Sequence, residues 1–536
     1  MKKTLTLIFS LFLFAGYSQK KQDSKPNIII ILADDMGFSD IGCFGSEIPT
    51  PNLDKLAAKG IRLNNFYNTG RCCPSRACLL TGVYPQEAGV GYMVDPLENN
   101  PAYQGFLNKE TVTFAETMKE AGYFTAIAGK WHVGHKAGQG PHERGFMRSL
   151  AAPVGGFMYT GLPRAQIFLN GKETKAGVDI PNHEYVTDLW TNYGLKFIDE
   201  AQAEKKPFLL YLAHNAPHFP LQAPTEDIAH FKGKYMAGWE KLRKERYERQ
   251  MAMNLLSQKY DLPPINPKVP AWESLSQTEK ERYDTMMAIY AAMVSHLDES
   301  IGKLVNELEK KGILDNTLIM FFSDNGGNAE SGVKGITQGD TLGNRNSNVF
   351  LGQCWAEMNN TPLWLYKHHT SEGGIASPFI AHWPKGISSK LQGKIINNPA
   401  HLVDIMPTLL DLGKGTYPTA FNGNSIKSQR GTSLKPIFEG KKLNRTQPIY
   451  WEHEGNRAIR IGDWKAVSNL TEPWQLYDMK TDRTELHDLS ATKPEILKDL
   501  VSQYEKWYEN VGAKPYFKEP MKWQSSIVET LKIQNK

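Results

Sequence analysis

At 536 residues the chain is long enough for one large domain and a smaller one. Its 62 Lys and Arg face 57 Asp and Glu, a formal net charge of +5. No basic run carries interleaved aromatics, so charge gives no case for nucleic acid. Five cysteines (Cys43, Cys72, Cys73, Cys78 and Cys354) are too few for a disulfide scaffold, and the sequence does not say which of them pair.

Lys2 and Lys3 precede an apolar run from Leu5 to Ala15, and Gly16-Tyr17-Ser18 offers small residues before Gln19. This predicts a signal peptide over residues 1–18. The run is too short for a membrane span, and no cysteine lies at the cleavage point to take a lipid. The mature protein is expected to be exported, periplasmic or secreted.

Pro26–Leu32 is almost continuously apolar and predicts a strand buried on both faces, ending in Ala33-Asp34-Asp35. Adjacent buried carboxylates need cations, and in open α/β sheets ligands gather beyond the carboxyl ends of strands. A short helix to Gly60 and a strand over Ile61–Tyr67 follow. The next stretch, Arg71–Gly82, reads Arg-Cys-Cys-Pro-Ser-Arg-Ala-Cys-Leu-Leu-Thr-Gly. Pro74 suits a first helical turn and Gly82 a stop past the last, which puts Cys72 at a helix N-terminus, a natural anion site.

Three more apolar runs end in polar chemistry. Tyr123–Ala128 leads into Gly129-Lys130-Trp131-His132, and Phe208–Leu212 into His214-Asn215-Ala216-Pro217-His218. Thr317–Phe322 leads into Ser323-Asp324-Asn325-Gly326-Gly327. Before the last comes a helix with Met286, Ile289, Met293, Leu297, Ile301, Leu304 and Leu308 at spacings of three and four. Strands alternating with helices predict an α/β fold with a mainly parallel central sheet. Leu221–Glu281 is polar and helix-prone; its run Lys241–Arg246 predicts a solvated face, or alternatively a lid gripping an anionic polymer. Asn328–Asn360, rich in Gly and Asn, is expected on the rim of the site. Trp239, Tyr247, Trp355 and Trp364 are candidate stacking surfaces on that rim. Thr361–Lys367 and Glu372-Gly373-Gly374 lead to a further strand over Pro378–Ala381. Short strands around Ile449–Glu452, Ala458–Ile461 and Trp464–Val467 and a helix near Pro494–Val511 predict a small antiparallel C-terminal subdomain. The expected divisions are 19–414 for the main α/β domain and 415–536 for the subdomain.

The stretch from Cys72 to Gly82 resembles the signature of the type I sulfatases, Cys-x-Pro-Ser-Arg-x-x-x-Leu-Thr-Gly, at every fixed position. The resemblance extends over nearly all of the mature chain. It implies an alkaline-phosphatase-like fold and a sulfuric ester hydrolase in which Cys72 becomes formylglycine, made before folding by a formylglycine-generating maturase. It implies one divalent ion, calcium, held by Asp34, Asp35, Asp324, Asn325 and the modified Cys72. An all-oxygen set of this kind suits a hard cation rather than zinc. Arg76, Lys130, His132, His218 and Lys367 match the family's catalytic and sulfate-binding positions. The neighbours of Lys367 depart from the family pattern, so His368 or His369 could share its role; His135 and His214 are further candidates near the site. The expected substrate is a sulfated carbohydrate or polysaccharide. Two other readings use the same residues: a formylglycine-dependent phosphonate or phosphodiester hydrolase, and a sulfated-glycan-binding protein whose Cys72 stays a thiol.

Overall fold

In the computed structural model, which describes residues 25–94, 99–470 and 472–514, the first apolar run is the hub. β1 (Asn27–Ala33) is buried from its second residue onward. Its flanks are parallel strands on both sides, so its side chains meet packed layers above and below, which is why it needs no polar alternation. Ile29 and Ile31 face one layer, with Trp190, Met293 and Leu297. Ile28, Ile30 and Leu32 face the other, with Leu79, Phe114 and Met406. The expected signal peptide lies outside the described residues.

The other main strands are β2 (Ile61–Tyr67), β3 (Phe124–Lys130), β4 (Arg148–Ala152), β5 (Phe208–Ala213), β6 (Thr317–Ser323) and β7 (Ala376–His382). Their order is β2-β7-β6-β1-β5-β3-β4, extended by short strands to eleven among the described residues. The pairs β6–β1, β1–β5, β5–β3 and β3–β4 are parallel, while β7 runs antiparallel to both neighbours. The α/β reading is therefore correct, with one of the seven main strands reversed, which periodicity does not reveal.

The long helix Gln277–Lys310 begins at a capping box: the Ser276 hydroxyl accepts from the Glu279 N–H, and Glu279 accepts from the Ser276 N–H at 3.0 Å. The signature helix spans Cys72–Thr81 and stops at Gly82, whose φ of 71° is a left-handed conformation that glycine adopts without a Cβ penalty.

The polar insertion has a solvated face, where Lys241, Lys244 and Glu248 are exposed, but its opposite face is docked. Its helix Trp239–Ala252 buries Trp239, Leu242, Arg243, Arg246, Tyr247 and Gln250. Arg246 bonds Asp40 at 2.7 Å and Glu47 at 2.8 Å, docking the insertion onto the loop after β1. The aromatics expected on the rim are corrected with it. Trp239, Tyr247, Trp355 and Trp364 are all buried, and Trp239 packs edge-on against Trp272, Tyr283 and Trp355. The run reads as polar because its aromatics are spaced across several elements rather than along one.

β8 (Ile449–His453), β9 (Asn456–Ile461), β10 (Trp464–Ser468) and β11 (Gln475–Asp478) form a separate antiparallel sheet, each paired with the next. The terminal helix Pro494–Asn510 buries Leu500, Tyr504 and Trp507 against it. Among the described residues no helix is long and apolar enough to cross a membrane.

Candidate active site

The site forms where β1, β3, β5 and β6 end. Ala33 pairs with Ser323 in register, so Asp34-Asp35 and Asp324-Asn325 emerge side by side. The Asp35 N–H donates to Asp324 Oδ1 at 3.3 Å, and Asn325 Nδ2 donates to Asp35 Oδ1 at 2.7 Å. Asp35 has φ 66° and His132 φ 57°; non-glycine residues rarely occupy this region and concentrate at functional sites.

Three cations meet three carboxylates. Lys130, the last residue of β3, reaches Asp34 at 2.6 Å. Arg76 places Nε and Nη2 on Asp324 Oδ2 at 3.1 and 2.8 Å and donates from Nη1 to the Lys130 carbonyl at 2.9 Å. Lys367 lies 2.7 Å from Asp35. The strand end carrying Lys130 approaches β5 so closely that a Cβ at Gly129 would lie 1.9 Å from the Ala213 carbonyl oxygen. Only glycine fits there.

Cys72 opens the signature helix and is buried, its sulfur gathered with Cys73 and His132 within 4.8 Å. A hydrogen bond from Cys73 together with the charge of Lys130 holds the Cys72 thiol well below its usual range, against the burial that would raise it. Burial, then the Lys130 charge, pushes His132 down to about 4, so its imidazole is neutral near pH 7. Burial opposes ionisation of Asp34, but Lys130, His218 and Arg76 outweigh it and hold its carboxyl below the carboxylate range. Lys130 is raised despite its own burial, chiefly by Asp34.

His218 donates from Nδ1 to the Phe219 carbonyl at 2.6 Å, leaving Nε2 3.5 Å from Asp35 Oδ2. All the residues expected at the site thus meet in one cluster. The oxygen set also fits a hard cation: Asp34 Oδ1 and Asn325 Oδ1 are buried with no hydrogen-bond partner, and unpaired buried acceptors are costly unless something occupies them.

The further candidates separate. His368 joins the site wall, bonding Glu330 at 2.7 Å and Glu454 at 2.8 Å and touching Arg71. His214 and His369 are buried, and burial pushes each down to about 3, so both imidazoles are neutral near pH 7. His135 is exposed. Sequence reading missed Arg71, Asn328, Glu330 and Glu454. Arg71 pairs with Glu330 at 2.7 Å, and Asn328 donates to Asp35 Oδ2 at 2.5 Å. Arg71 adjoins the signature, which was signal enough; Glu454 comes from the C-terminal sheet, and no local pattern points to it. All five cysteines are unpaired and buried.

A parallel-sheet fold whose strand ends gather fixed cations and oxygen ligands beside a helix N-terminus defines an enzyme for anionic esters. The chain belongs to the sulfatase family, whose family model matches residues 26–416, and it is a sulfuric ester hydrolase of that family. An uncharacterized sulfatase of Schizosaccharomyces pombe is 34% identical over 91% of this chain and 94% of its own. An arylsulfatase of Klebsiella aerogenes is 33% identical over 83% of this chain and 98% of its own. The crystal structure of Ps i-CgsB in complex with k-i-k-neocarrahexaose superposes with a TM-score of 0.68 at 30% identity, covering 96% of this chain and 98% of that one.

Proposed function

We propose that this protein is an exported sulfatase that removes sulfate from a sulfated carbohydrate, using formylglycine at position 72 and one calcium ion. The observation that carries the reading is the balanced cluster itself, three buried carboxylates against Arg76, Lys130 and Lys367, at the N-terminus that Cys72 opens. Its similarity to the carbohydrate-bound Ps i-CgsB supports the substrate class.

Oxidised Cys72 would supply, as the hydrated aldehyde, the hydroxyl that attacks sulfur. Asp34, Asp35, Asp324 and Asn325, with the modified Cys72, would hold calcium, which supplies Lewis-acid polarisation of the sulfate. The chain's own residues do the rest. Arg76, Lys130 and Lys367 present fixed positive charge to the sulfate oxygens in a site that excludes water. His218, with Nδ1 committed to the Phe219 carbonyl, presents Nε2 to protonate the departing alcohol oxygen. His132, held neutral by burial and Lys130, accepts a proton from the side chain at position 72.

The test is the mass of the peptide containing Cys72 together with substrate turnover, on protein made with a formylglycine-generating system. We expect a loss of about 18 Da against the thiol form, sulfate release from sulfated oligosaccharides, and no turnover by a folded Cys72→Ala variant. Faster hydrolysis of phosphonate or phosphate esters than of sulfate esters would replace the reading with the phosphonate one. An unmodified thiol with glycan binding intact would replace it with the binding one.

A further inference from the structure

At the edge of the site, the His218 ring stacks on two phenyl rings that the reaction scheme does not use. The His218 imidazole lies 4.1 Å from the Phe219 ring at 30°, and Phe219 lies 4.2 Å from Phe350 at 26°. Two rings at that separation cannot share one face, so Phe219 is sandwiched. Lys367 Nζ lies 5.6 Å from the centre of the same Phe219 ring.

Phe350 comes from far along the chain, at the end of the short strand Asn348–Phe350, which pairs antiparallel with Ile336–Gln338. Backbone bonds lock that hairpin onto the segment after His218. Leu221 N–H donates to the Val349 carbonyl at 2.9 Å and Ala223 N–H to Gly343 at 3.0 Å, while Gln222 Nε2 donates to Ser347 at 2.7 Å. These bonds fix the backbone that carries Phe350. By contrast, the His218 ring has one hydrogen bond below 3 Å, to the carbonyl of its own neighbour. A single bond at Nδ1 leaves the imidazole free to swing about it unless its face is held.

We infer that Phe350 is a positioning residue for the reaction: through Phe219 it fixes the imidazole plane of His218, so that Nε2 stays aimed at the leaving oxygen. The inference rests on the proposed role of His218. In that step the sulfur–oxygen bond to the alcohol breaks with its electron pair on the alcohol oxygen, which takes the Nε2 proton. A leaving group that departs readily as an anion needs no such proton, whereas a poor one does. Displacing the ring should therefore harm only the second kind.

The experiment uses the formylglycine-bearing, calcium-loaded enzyme and two aryl sulfates of similar size, 4-nitrophenyl sulfate and 4-methoxyphenyl sulfate. For Phe350→Ala we expect kcat on the methoxy substrate to fall by about tenfold or more. KM should be little changed, and kcat on the nitro substrate should stay within about twofold. Phe350→Tyr should restore kcat on the methoxy substrate, and His218→Ala should show the same asymmetry, enlarged. If Phe350→Ala slows both substrates equally, or neither, while His218→Ala keeps the asymmetry, the stack is only packing and the inference falls alone. Absence of asymmetry in His218→Ala would overturn the proton-donor role and the inference with it. Should Phe350→Ala not fold, Phe350→Leu, which keeps apolar bulk but not the flat face, must show the asymmetry for the inference to stand.

Discussion

Arg76 illustrates how much a single side chain settles in this site. Its guanidinium is fully buried and spans Asp324 and the Lys130 carbonyl, so it orders a carboxylate of the proposed metal set and the strand end that carries Lys130. A lysine would keep the charge but has no planar fork to span both acceptors. Arg76→Lys should therefore cost roughly 2 kcal/mol of stability, the usual penalty for leaving a buried acceptor short of a donor. It should also lower kcat/KM by about a hundredfold, as removal of one preorganised charge-stabilising donor does elsewhere. Denaturant unfolding and sulfate release measure the two separately; near-normal turnover would show that charge alone suffices at this position. The residues around Arg76 were legible in the sequence because each sits where an apolar run stops. Burial on both faces makes a strand continuous in hydrophobicity, so the first polar residue after it marks the strand end and hence the site. Glu330 and Glu454 escaped because they come from a loop and a hairpin turn, where no periodicity announces which side chain points inward.

Two elements are held by charges that the sequence pattern hid. The insertion helix Trp239–Ala252 looked solvated because its charged residues alternate in sign, yet Arg246 is buried between Asp40 and Glu47. Asp40 in turn accepts from the Gly37 N–H and the Tyr290 hydroxyl, so the insertion braces the loop that follows Asp34 and Asp35. Arg246→Met leaves Asp40 buried without its cation and should destabilise the protein by about 3–5 kcal/mol. Amide exchange should then rise first in the Met36–Glu47 loop; unchanged protection there would mean that the helix braces nothing. The long helix is tied down by His296, which bonds Asp227 at 2.7 Å and Asp188 at 3.0 Å. Burial opposes its charge, but the two carboxylates outweigh that and raise it from 6.5 to about 9. A raised histidine contributes stability that is complete below its unfolded value and lost as pH rises through the folded one. Stability should therefore fall by up to about 3 kcal/mol between pH 6.5 and pH 9.5, and His296→Gln should flatten that slope. A wild-type slope that survives in His296→Gln would assign the effect to other groups.

At the scale of the whole molecule, the C-terminal sheet completes the site wall from behind. Lys465 on β10 bonds Glu372 at 2.9 Å and Glu485 at 2.8 Å, and Glu372 also receives Tyr67 of β2 at 2.9 Å and Arg483 at 3.3 Å. Glu372 closes the loop that begins at Lys367, and Asn456 of β9 donates to the His368 carbonyl at 3.0 Å. Every charged group in this network is buried, so none can be removed without leaving a partner uncompensated. We propose that the boundary expected between 414 and 415 divides topology but not stability. Calorimetry of the wild type should then give one transition for catalytic domain and subdomain together. Lys465→Met should lower the melting temperature and kcat/KM together, because two buried carboxylates lose their shared cation and the Lys367 loop loses its anchor. Adding Glu485→Gln removes one of those charges, so the double variant should recover part of both losses, a coupling that independent sites do not show. Two resolved transitions in the wild type, or strictly additive losses in the double variant, would make the subdomain a separate unit and leave the position of Lys367 to its own loop.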